Sequence, residues 1–349
     1  MKTRSIKVGN VALGGGAPVS VQSMTNTDTR DVEATLHQIR ELAEAGCEIV
    51  RISVYDEQCV RAVRTLVDLS PVPLVADIHF DHHLAIGAME NGIAKLRINP
   101  GNIGGTDRVR QVADCARAHH IPIRIGVNGG SLEKEILAKY GGLTAQGMVE
   151  SALNHAKMLE DQHFYDIVLS LKSSDVPLTV AAYRLASKRC DYPLHVGITE
   201  AGLPGTGHIR SAVGIGALLM DGIGDTIRVS LTGSPVPEVD AAVEILRAVG
   251  LRKGVRFVSC PTCGRTRIDV AAIARAVQAG IGNNIDRNIT VAVMGCVVNG
   301  PGEARDADIA LCGGDGCGAL YVKGKYKRKL TGDLARAFTD AIKETIHEL

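Results

Sequence analysis

The sequence predicts an α/β fold, a (β/α)8 barrel over residues 1–250 followed by a small α+β domain over residues 251–349. Three observations predict it. Short β-branched runs alternate with amphipathic helical patterns eight times in the first 250 residues, the pattern of parallel strands joined by helical crossovers. No G-x-G-x-x-G follows the first strand, which argues against a doubly wound open sheet. A short polar connector, Leu251-Arg252-Lys253-Gly254, then leads into a segment of different pattern that carries a block of cysteines.

In order, Ser5 to Leu13 reads as a hairpin turning at Gly9-Asn10, because such a pair tolerates the positive φ that a two-residue turn needs. Strands start near Val19, Glu48, Pro73, Lys95, Pro122, Asp166, Pro193 and Thr226. Helical periodicity fills the gaps, as from Asp31 to Ala45, Thr144 to Asp161 and Val236 to Val249. Beyond the connector the pattern reads strand, helix (Asp269 to Ala279), strand (Ile289 to Met294), two or three short strands and a last helix (Asp333 to His347).

Composition narrows the function classes. The 349 residues are 45% hydrophobic with a formal charge of +1, which describes a soluble globular protein rather than a general binder of polyanions. No Trp and only four Phe leave little to stack on single-stranded nucleic acid. The nine cysteines lie in helical and apolar contexts, and Met1-Lys2-Thr3-Arg4-Ser5 leads into the hairpin rather than an apolar leader. A reducing, cytoplasmic location is the expectation, with no disulfide scaffold and no membrane span.

The barrel strands carry the first chemical signal. Successive strand residues face opposite sides, and one parity of almost every strand is polar. It comprises Gln22; Arg51 and Ser53; Asp77 and His79; Lys95, Arg97 and Asn99; Arg124 and Asn128; Ser170 and Lys172; His195 and Thr199; Arg228 and Ser230, with Glu200 following at the end of the seventh strand. The other parity (Val50 and Ile52, Leu96 and Ile98, Ile123 and Ile125, Ile227 and Val229) is apolar and must pack on the helices, so the polar set points inward. Six cations, Arg51, Lys95, Arg97, Arg124, Lys172 and Arg228, meet one strand carboxylate, Asp77, with Glu200 at the rim. Burying unpaired cations costs several kcal/mol each, so the array predicts a small anion with more than one phosphate at the C-terminal mouth. Arginine's planar fork suits bidentate phosphate contacts. Asp77 and Glu200 are then the acid–base candidates, and His79 a supporting residue.

The second signal is the block from Ser259 to Glu303, with Cys260-Pro261-Thr262-Cys263 at its start and Gly295-Cys296-Val297-Val298-Asn299-Gly300-Pro301-Gly302-Glu303 at its end. Glycines beside Cys296 let backbone N–H groups approach a cluster sulfide. Three thiolates with a nearby carboxylate fit an iron–sulfur centre. C-x-x-C also makes zinc knuckles and redox disulfides, and Cys312 and Cys317 could complete a four-cysteine zinc site. On spacing alone, cluster and zinc stand level.

These strings together resemble one family. Ser20-Val21-Gln22-Ser23-Met24-Thr25-Asn26-Thr27, Leu96-Arg97-Ile98-Asn99-Pro100-Gly101-Asn102, Arg124-Ile125-Gly126-Val127-Asn128, Leu194-His195-Val196-Gly197-Ile198-Thr199-Glu200-Ala201-Gly202 and the block from Ser259 to Glu303 are similar to bacterial 4-hydroxy-3-methylbut-2-enyl diphosphate synthases of the non-mevalonate isoprenoid pathway, in their compact two-domain form. The resemblance implies an oxidoreductase that reductively opens 2-C-methyl-D-erythritol 2,4-cyclodiphosphate, with two electrons in and a water out. It implies that Cys260, Cys263, Cys296 and Glu303 hold a [4Fe–4S] cluster, leaving Cys312 and Cys317 structural. It further implies that Arg51, Arg97, Arg124, Asn128, Lys172, Arg228 and Ser230 clasp the diphosphate, that Glu200 donates a proton, and that flavodoxin or ferredoxin supplies electrons. A carboxylate such as Glu303 binds iron less softly than a thiolate and can yield to substrate oxygen.

One expectation needs no family. The eighth helix returns the chain to the N-terminal face of the barrel, and the connector is too short to carry the cysteine domain round to the mouth. The cluster is therefore expected to serve a partner subunit's mouth in a head-to-tail homodimer. The rival function is a pterin-dependent barrel methyltransferase with a zinc-binding C-terminal module, on the weak likeness of Asn99-Pro100-Gly101-Asn102 to pterin-binding loops. It predicts a neutral ring site, which six inward cations oppose.

Overall fold

The computed structural model describes residues 2–281, 285, 287–298 and 300–346, the side chains of Pro301 and Glu303 excepted. The chain divides into two compact units, Met1–Leu251 and Arg252–Leu349.

In the first unit, β1 (Ile6–Val8) and β2 (Val11–Leu13) form the antiparallel hairpin. Eight parallel strands follow: β3 (Ser20–Met24), β4 (Ile49–Ser53), β5 (Leu74–Asp77), β6 (Lys95–Ile98), β7 (Ile123–Asn128), β8 (Ile167–Lys172), β9 (His195–Val196) and β10 (Thr226–Ile227). Their order is β8-β7-β6-β5-β4-β3-β10-β9, and a bridge between Leu169 and Leu194 closes the ring. The crossover helices are α1 (Val32–Glu44), α2 (Glu57–Leu69), α3 (His82–Glu90), α4 (Pro100–Ile103), α5 (Thr106–Ala118), α6 (Lys134–Tyr140), α7 (Ala145–Glu160), α8 (Val176–Arg189), α9 (Thr206–Met220) and α10 (Val236–Ala248).

Local chemistry sets these boundaries. Asp31, Asp56 and Asp175 each accept a hydrogen bond from a backbone N–H in the first turn of α1, α2 and α8, at 3.0, 2.8 and 2.7 Å, a cap worth about 1 kcal/mol. Buried Thr35, Leu36, Ile39 and Leu42 form the inner stripe of α1. That stripe meets the outward faces of the strands, where Val50, Ile52, Leu96, Ile98, Ile123, Ile125 and Ile227 join one continuous core.

The inward face is apolar only at the N-terminal end. There Ile49, Val75 and Val168 pack on Ile6, Val8 and Leu13 of the hairpin. The hairpin therefore plugs the floor of the barrel, a role its turn signal alone did not reveal. Above this plug the interior is polar.

The second unit holds β11 (Gly254–Ser259), α11 (Val270–Ile281), β12 (Asn288–Met294), α12 (Gly300–Glu303), β13 (Ile309–Gly314), β14 (Cys317–Val322), β15 (Lys325–Thr331) and α13 (Leu334–Thr345). Its sheet runs in sequence order, parallel from β11 to β13 and antiparallel onward. Val277, Val291, Leu311, Leu320 and Phe338 centre the core between this sheet and its two long helices. Among the described residues no helix is long and apolar enough to cross a membrane.

Candidate functional site: an anion cavity and a cysteine pocket

The C-terminal end of the barrel opens into a cavity of about 260 Å³. Its lining takes in Asp77 and the seven residues expected to clasp the diphosphate: Arg51, Arg97, Arg124, Asn128, Lys172, Arg228 and Ser230. His79, Ser170 and Thr199 complete the polar wall with Gly126. Two cation or acid candidates lie elsewhere. Lys95 is fully buried beneath the cavity, with Nζ donating to Gln22 Oε1 at 3.2 Å. Glu200 is exposed and outside the lining, its backbone held at φ +52° where a side chain is strained.

Asp77 is the hub of one side. Its Oδ1 accepts from Arg97 Nη1 at 3.0 Å, while Arg51 Nε and His79 Nε2 lie 3.7 and 3.8 Å from Oδ2. Burial would raise the Asp77 carboxyl, but Arg51, the His79 hydrogen bond, Arg97 and Arg124 outweigh it and hold the group well below the usual carboxylate range. Arg51 also aims Nε and Nη2 at the Met24 sulfur, 3.0 and 2.8 Å away. Burial, opposed by Asp77, lowers the Arg51 pKa to about 10.

The other side holds a carboxylate that strand reading missed. Glu238, buried in the first turn of α10, accepts from Ser23 Oγ at 3.1 Å and Leu231 N at 2.8 Å. Both Arg228 Nε and Nη2 lie 3.4 Å from its Oε2. The expectation of a single facing carboxylate is corrected accordingly: six cations meet two buried acids. The sequence did offer a signal, Glu238 after Pro235-Val236-Pro237, but an acid at a helix start reads first as a dipole partner.

Among the described residues neither Arg124 nor Lys172 makes an ion pair with a carboxylate, and only Asp77 and Glu238, at longer range, oppose their neighbours' charge. Arg124 is 2% exposed, and its Nε and Nη1 have no hydrogen-bond partner. Burial, then Arg51 and Arg97, push its pKa far down. Lys172 Nζ lies 3.1 Å from His195 Nε2, and burial followed by Arg124 and Arg228 lowers it as well. With the ammonium donating, His195 takes the Nδ1–H tautomer, and that nitrogen is also without a partner. Two glycines make room for this crowd. A Cβ on Gly126 would stand 2.8 Å from Arg97 Nε, and one on Gly197 would stand 2.9 Å from Lys172 Nζ and 2.4 Å from Arg228 O. The arrangement is electrostatically costly unless an anion fills it.

The second unit carries the cysteine pocket. Parallel β11 and β12 run in register, Ser259 beside Val293, which sets Cys260 next to the turn after Met294. Cys260, Cys263 and Cys296 line a recess of about 200 Å³ with Arg265, Thr266, Met294, Gly295 and Gly300. Gly295 N donates to Cys260 Sγ at 3.1 Å, and Cys263 N donates to Thr266 Oγ1 at 3.1 Å. The Gly295 N–H, aimed at sulfur, stabilises a thiolate at Cys260. Zinc, with Zn–S near 2.3 Å, would draw its sulfurs to about 3.8 Å apart. Among the described residues, Asp81, His82 and His83 are the only group of three or more potential ligands all within 4.8 Å of one another, so the three sulfurs are not gathered that tightly in this structure. Cys312 is buried behind Gly300 and Cys317 starts β14, and neither lines the recess. The side chain of Glu303 lies outside the described residues.

Known proteins add independent findings. The family descriptions "GcpE TIM-barrel domain" and "GcpE protein C-terminal domain" match residues 3–243 and 256–346. A protein of Ruminiclostridium cellulolyticum named 4-hydroxy-3-methylbut-2-en-1-yl diphosphate synthase (flavodoxin) is 57% identical over 94% of this chain and 93% of its own. A Geobacter sulfurreducens protein of the same name is 56% identical over 99% of both. Among solved structures, Clostridium difficile type I 3-dehydroquinate dehydratase (12% identity, TM-score 0.52, 71% of this chain and 97% of that one) shares the barrel fold. So does Yersinia pestis dihydropteroate synthase (12%, TM-score 0.51, 70% and 96%). Both likenesses concern fold alone.

Proposed function

The chain belongs to the GcpE family, and from that premise we infer that it is the oxidoreductase making 4-hydroxy-3-methylbut-2-enyl diphosphate in isoprenoid precursor biosynthesis. The reaction opens and dehydrates 2-C-methyl-D-erythritol 2,4-cyclodiphosphate, with two electrons in and one water out. The observation that carries the substrate assignment is the uncompensated charge of the cavity: its wall holds buried Arg97, Arg124 and Lys172 and half-buried Arg51 and Arg228, with buried Lys95 beneath, against Asp77 and Glu238. A cyclic diphosphate supplies the missing negative charge in a small, rigid form. A pterin would meet a charged wall instead of a neutral slot, so that rival reading has no support in the cavity.

In our reading Arg124 and Lys172 bind the phosphates most directly, since neither has another anion to satisfy. Arg51, Arg97 and Arg228 add forked donors held in aim by Asp77 and Glu238. Asn128 and Ser230 supply neutral contacts on the same wall. Asp77 stays ionised and orients its arginines, which suits it poorly as a proton donor. Glu200, at the exposed rim, is the residue free to manage a proton once a cap excludes water.

The thiols of Cys260, Cys263 and Cys296, with the Gly295 N–H at hand, fit a [4Fe–4S] cluster, and Glu303 is assigned as its fourth ligand. When bound, the cluster supplies single electrons from flavodoxin, the donor in the relatives' name, and a Lewis acid for the departing hydroxyl. Protein purified without oxygen is expected to hold about four irons and four sulfides per chain and no stoichiometric zinc. Zinc without colour, in a preparation that never saw air, would overturn the reductive assignment.

The same reading keeps the assembly as a head-to-tail homodimer, with the cysteine unit of one chain serving its partner's barrel. Only residues 249–253 separate α10 from β11, a reach of at most about 17 Å. Co-assembled C260S and E200A chains should regain one working site per mixed dimer. If no activity returns, each chain is self-sufficient and the shared site is wrong.

A further inference from the structure

Charge is partitioned unevenly along this chain. Residues 252–349 hold 15 of the 39 Lys and Arg but only 10 of the 38 Asp and Glu. A near-neutral protein therefore contains a cluster-bearing unit with a surplus of five cations. Five cations also fall within seven residues, Lys323, Lys325, Lys327, Arg328 and Lys329, with no acid among them.

That run is the turn before β15 and β15 itself, the outermost strand of the sheet. Every residue from Lys323 to Lys329 is exposed. Arg328 pairs with Glu344 at 2.8 Å, whereas among the described residues the four lysines make no ion pair. A register shift opposite Leu320 and Tyr321 leaves Lys327 outside the pairing, displaced outward as in a bulge. Tyr326 stands at the centre of the patch, 58% exposed and braced edge-on against Tyr321 at 5.9 Å.

A lysine-rich edge also guards against strand-to-strand aggregation. That need is met by one or two charges, and it explains neither a braced, exposed tyrosine nor a net charge carried by the whole unit. A rigid aromatic ringed by cations is the composition of a recognition surface. Its position fits one kind of partner. The strand ends at Thr331 beside Cys317, which follows the turn from Gly314. This is the end of the sheet from which Cys260 and Cys296 emerge, after β11 and β12; Lys329 stands in the row of Ala319, Cys312 and Met294 there, and Tyr326 and Lys325 lie two and three rows back, so the run extends along the sheet edge from the cysteine end to the opposite one. Strands β12 and β15 are three intervals apart, about 14 Å.

We propose that β15 and its preceding turn, Lys323 to Lys329 with Tyr326 at the centre, form the docking surface for an acidic flavodoxin-type electron carrier. The proposal rests on the flavodoxin-dependent reading above and adds the place of contact. Each encounter passes one electron: the flavin hydroquinone becomes semiquinone, and the cluster is reduced by one. Two encounters complete a turnover, so the carrier must leave as readily as it arrives. Exposed charge rather than apolar burial suits that requirement, because it raises the on-rate without prolonging the complex.

The test compares two reductants on cluster-loaded enzyme under anaerobic conditions. The triple variant K325E/K327E/K329E should raise the KM for flavodoxin at least tenfold and lose most of the salt dependence of that KM. Turnover driven by reduced methyl viologen, which needs no docking surface, should stay within twofold of the parent. Calorimetric titration with oxidised flavodoxin should show the same tenfold weakening without any turnover. The milder K325Q/K327Q/K329Q should fall between, which guards against a folding defect in the first variant. Unchanged flavodoxin KM and affinity would overturn the proposal, as would equal loss with both reductants in both variants. A parent enzyme that runs on viologen but not on flavodoxin would instead overturn the carrier assignment, and one that runs on neither would overturn the reaction.

Discussion

The R124M variant is expected to be more stable than the parent protein and almost inactive. Arg124 is buried among other cations without a carboxylate of its own, and two of its nitrogens lack any partner. Methionine has a similar length, no charge and no polar group to leave unsatisfied. Replacing buried ionic groups by apolar ones of similar volume often stabilises by about 1–4 kcal/mol, and this site has less compensation than an ion pair. For a unit of this size each kcal/mol moves the Tm by about 2–4 °C. Thermal unfolding of the ligand-free protein should thus shift up by several degrees. Losing a desolvated contact to phosphate costs about 2–5 kcal/mol, so kcat/KM should drop by at least about thirtyfold. A lower Tm with activity intact would mean that Arg124 is a structural residue and that the cavity was not built around an anion.

The E238Q variant should move stability the other way. Its carboxamide oxygen can still accept from Leu231 N, but its NH2 then takes the place of Oε2 and faces the Arg228 guanidinium; turned the other way, the NH2 meets the Leu231 N–H. Removing one partner of a buried ion pair costs about 3–5 kcal/mol, here moderated by the long 3.4 Å contacts. A fall of several degrees in Tm is expected, together with a ten- to hundredfold loss in kcat/KM as Arg228 loses its aim. Saturating cyclic diphosphate should restore part of the lost stability, because the ligand supplies the counter-charge. If E238Q melts like the parent, Glu238 does not hold Arg228, and the second acid in the charge balance is idle.

These opposite signs express what the sequence could and could not convey. Inward residues were legible because strand geometry is periodic: Arg51, Asp77, Arg97, Arg124 and Lys172 are two-residue steps along their strands, and the structure gathers them on one cavity wall. Depth was less legible. Lys95 shares the inward parity yet lies below the cavity against Gln22, since parity fixes the side of a strand and not the height in the barrel. Partners from outside the strands were hidden altogether. Glu238 comes from a helix, and Met24 offers sulfur to two arginines, Arg51 and Arg228, a contact no charge pattern announces. The hairpin was visible from Gly9-Asn10, but its service as the barrel floor depends on Ile49, Val75 and Val168 meeting it in space. Glu200 shows the converse. Its place at the end of β9 was readable, while its left-handed backbone was not.

The cysteine unit followed the same rule. Cys260, Cys263 and Cys296 could be grouped from spacing, and β11 and β12 set them around one recess. What separates them from Cys312 and Cys317 is burial and strand position, which spacing does not encode.

The most direct measurement is phosphorus NMR of an anaerobic reaction containing cluster-loaded enzyme, cyclic diphosphate and reduced flavodoxin, run beside the R124M variant. The account predicts that the two ring phosphorus signals give way to those of a linear diphosphate monoester, two electrons being consumed per product, and that R124M leaves the ring signals in place. Ring signals that persist with the parent enzyme, or product formed equally well by R124M, would contradict it.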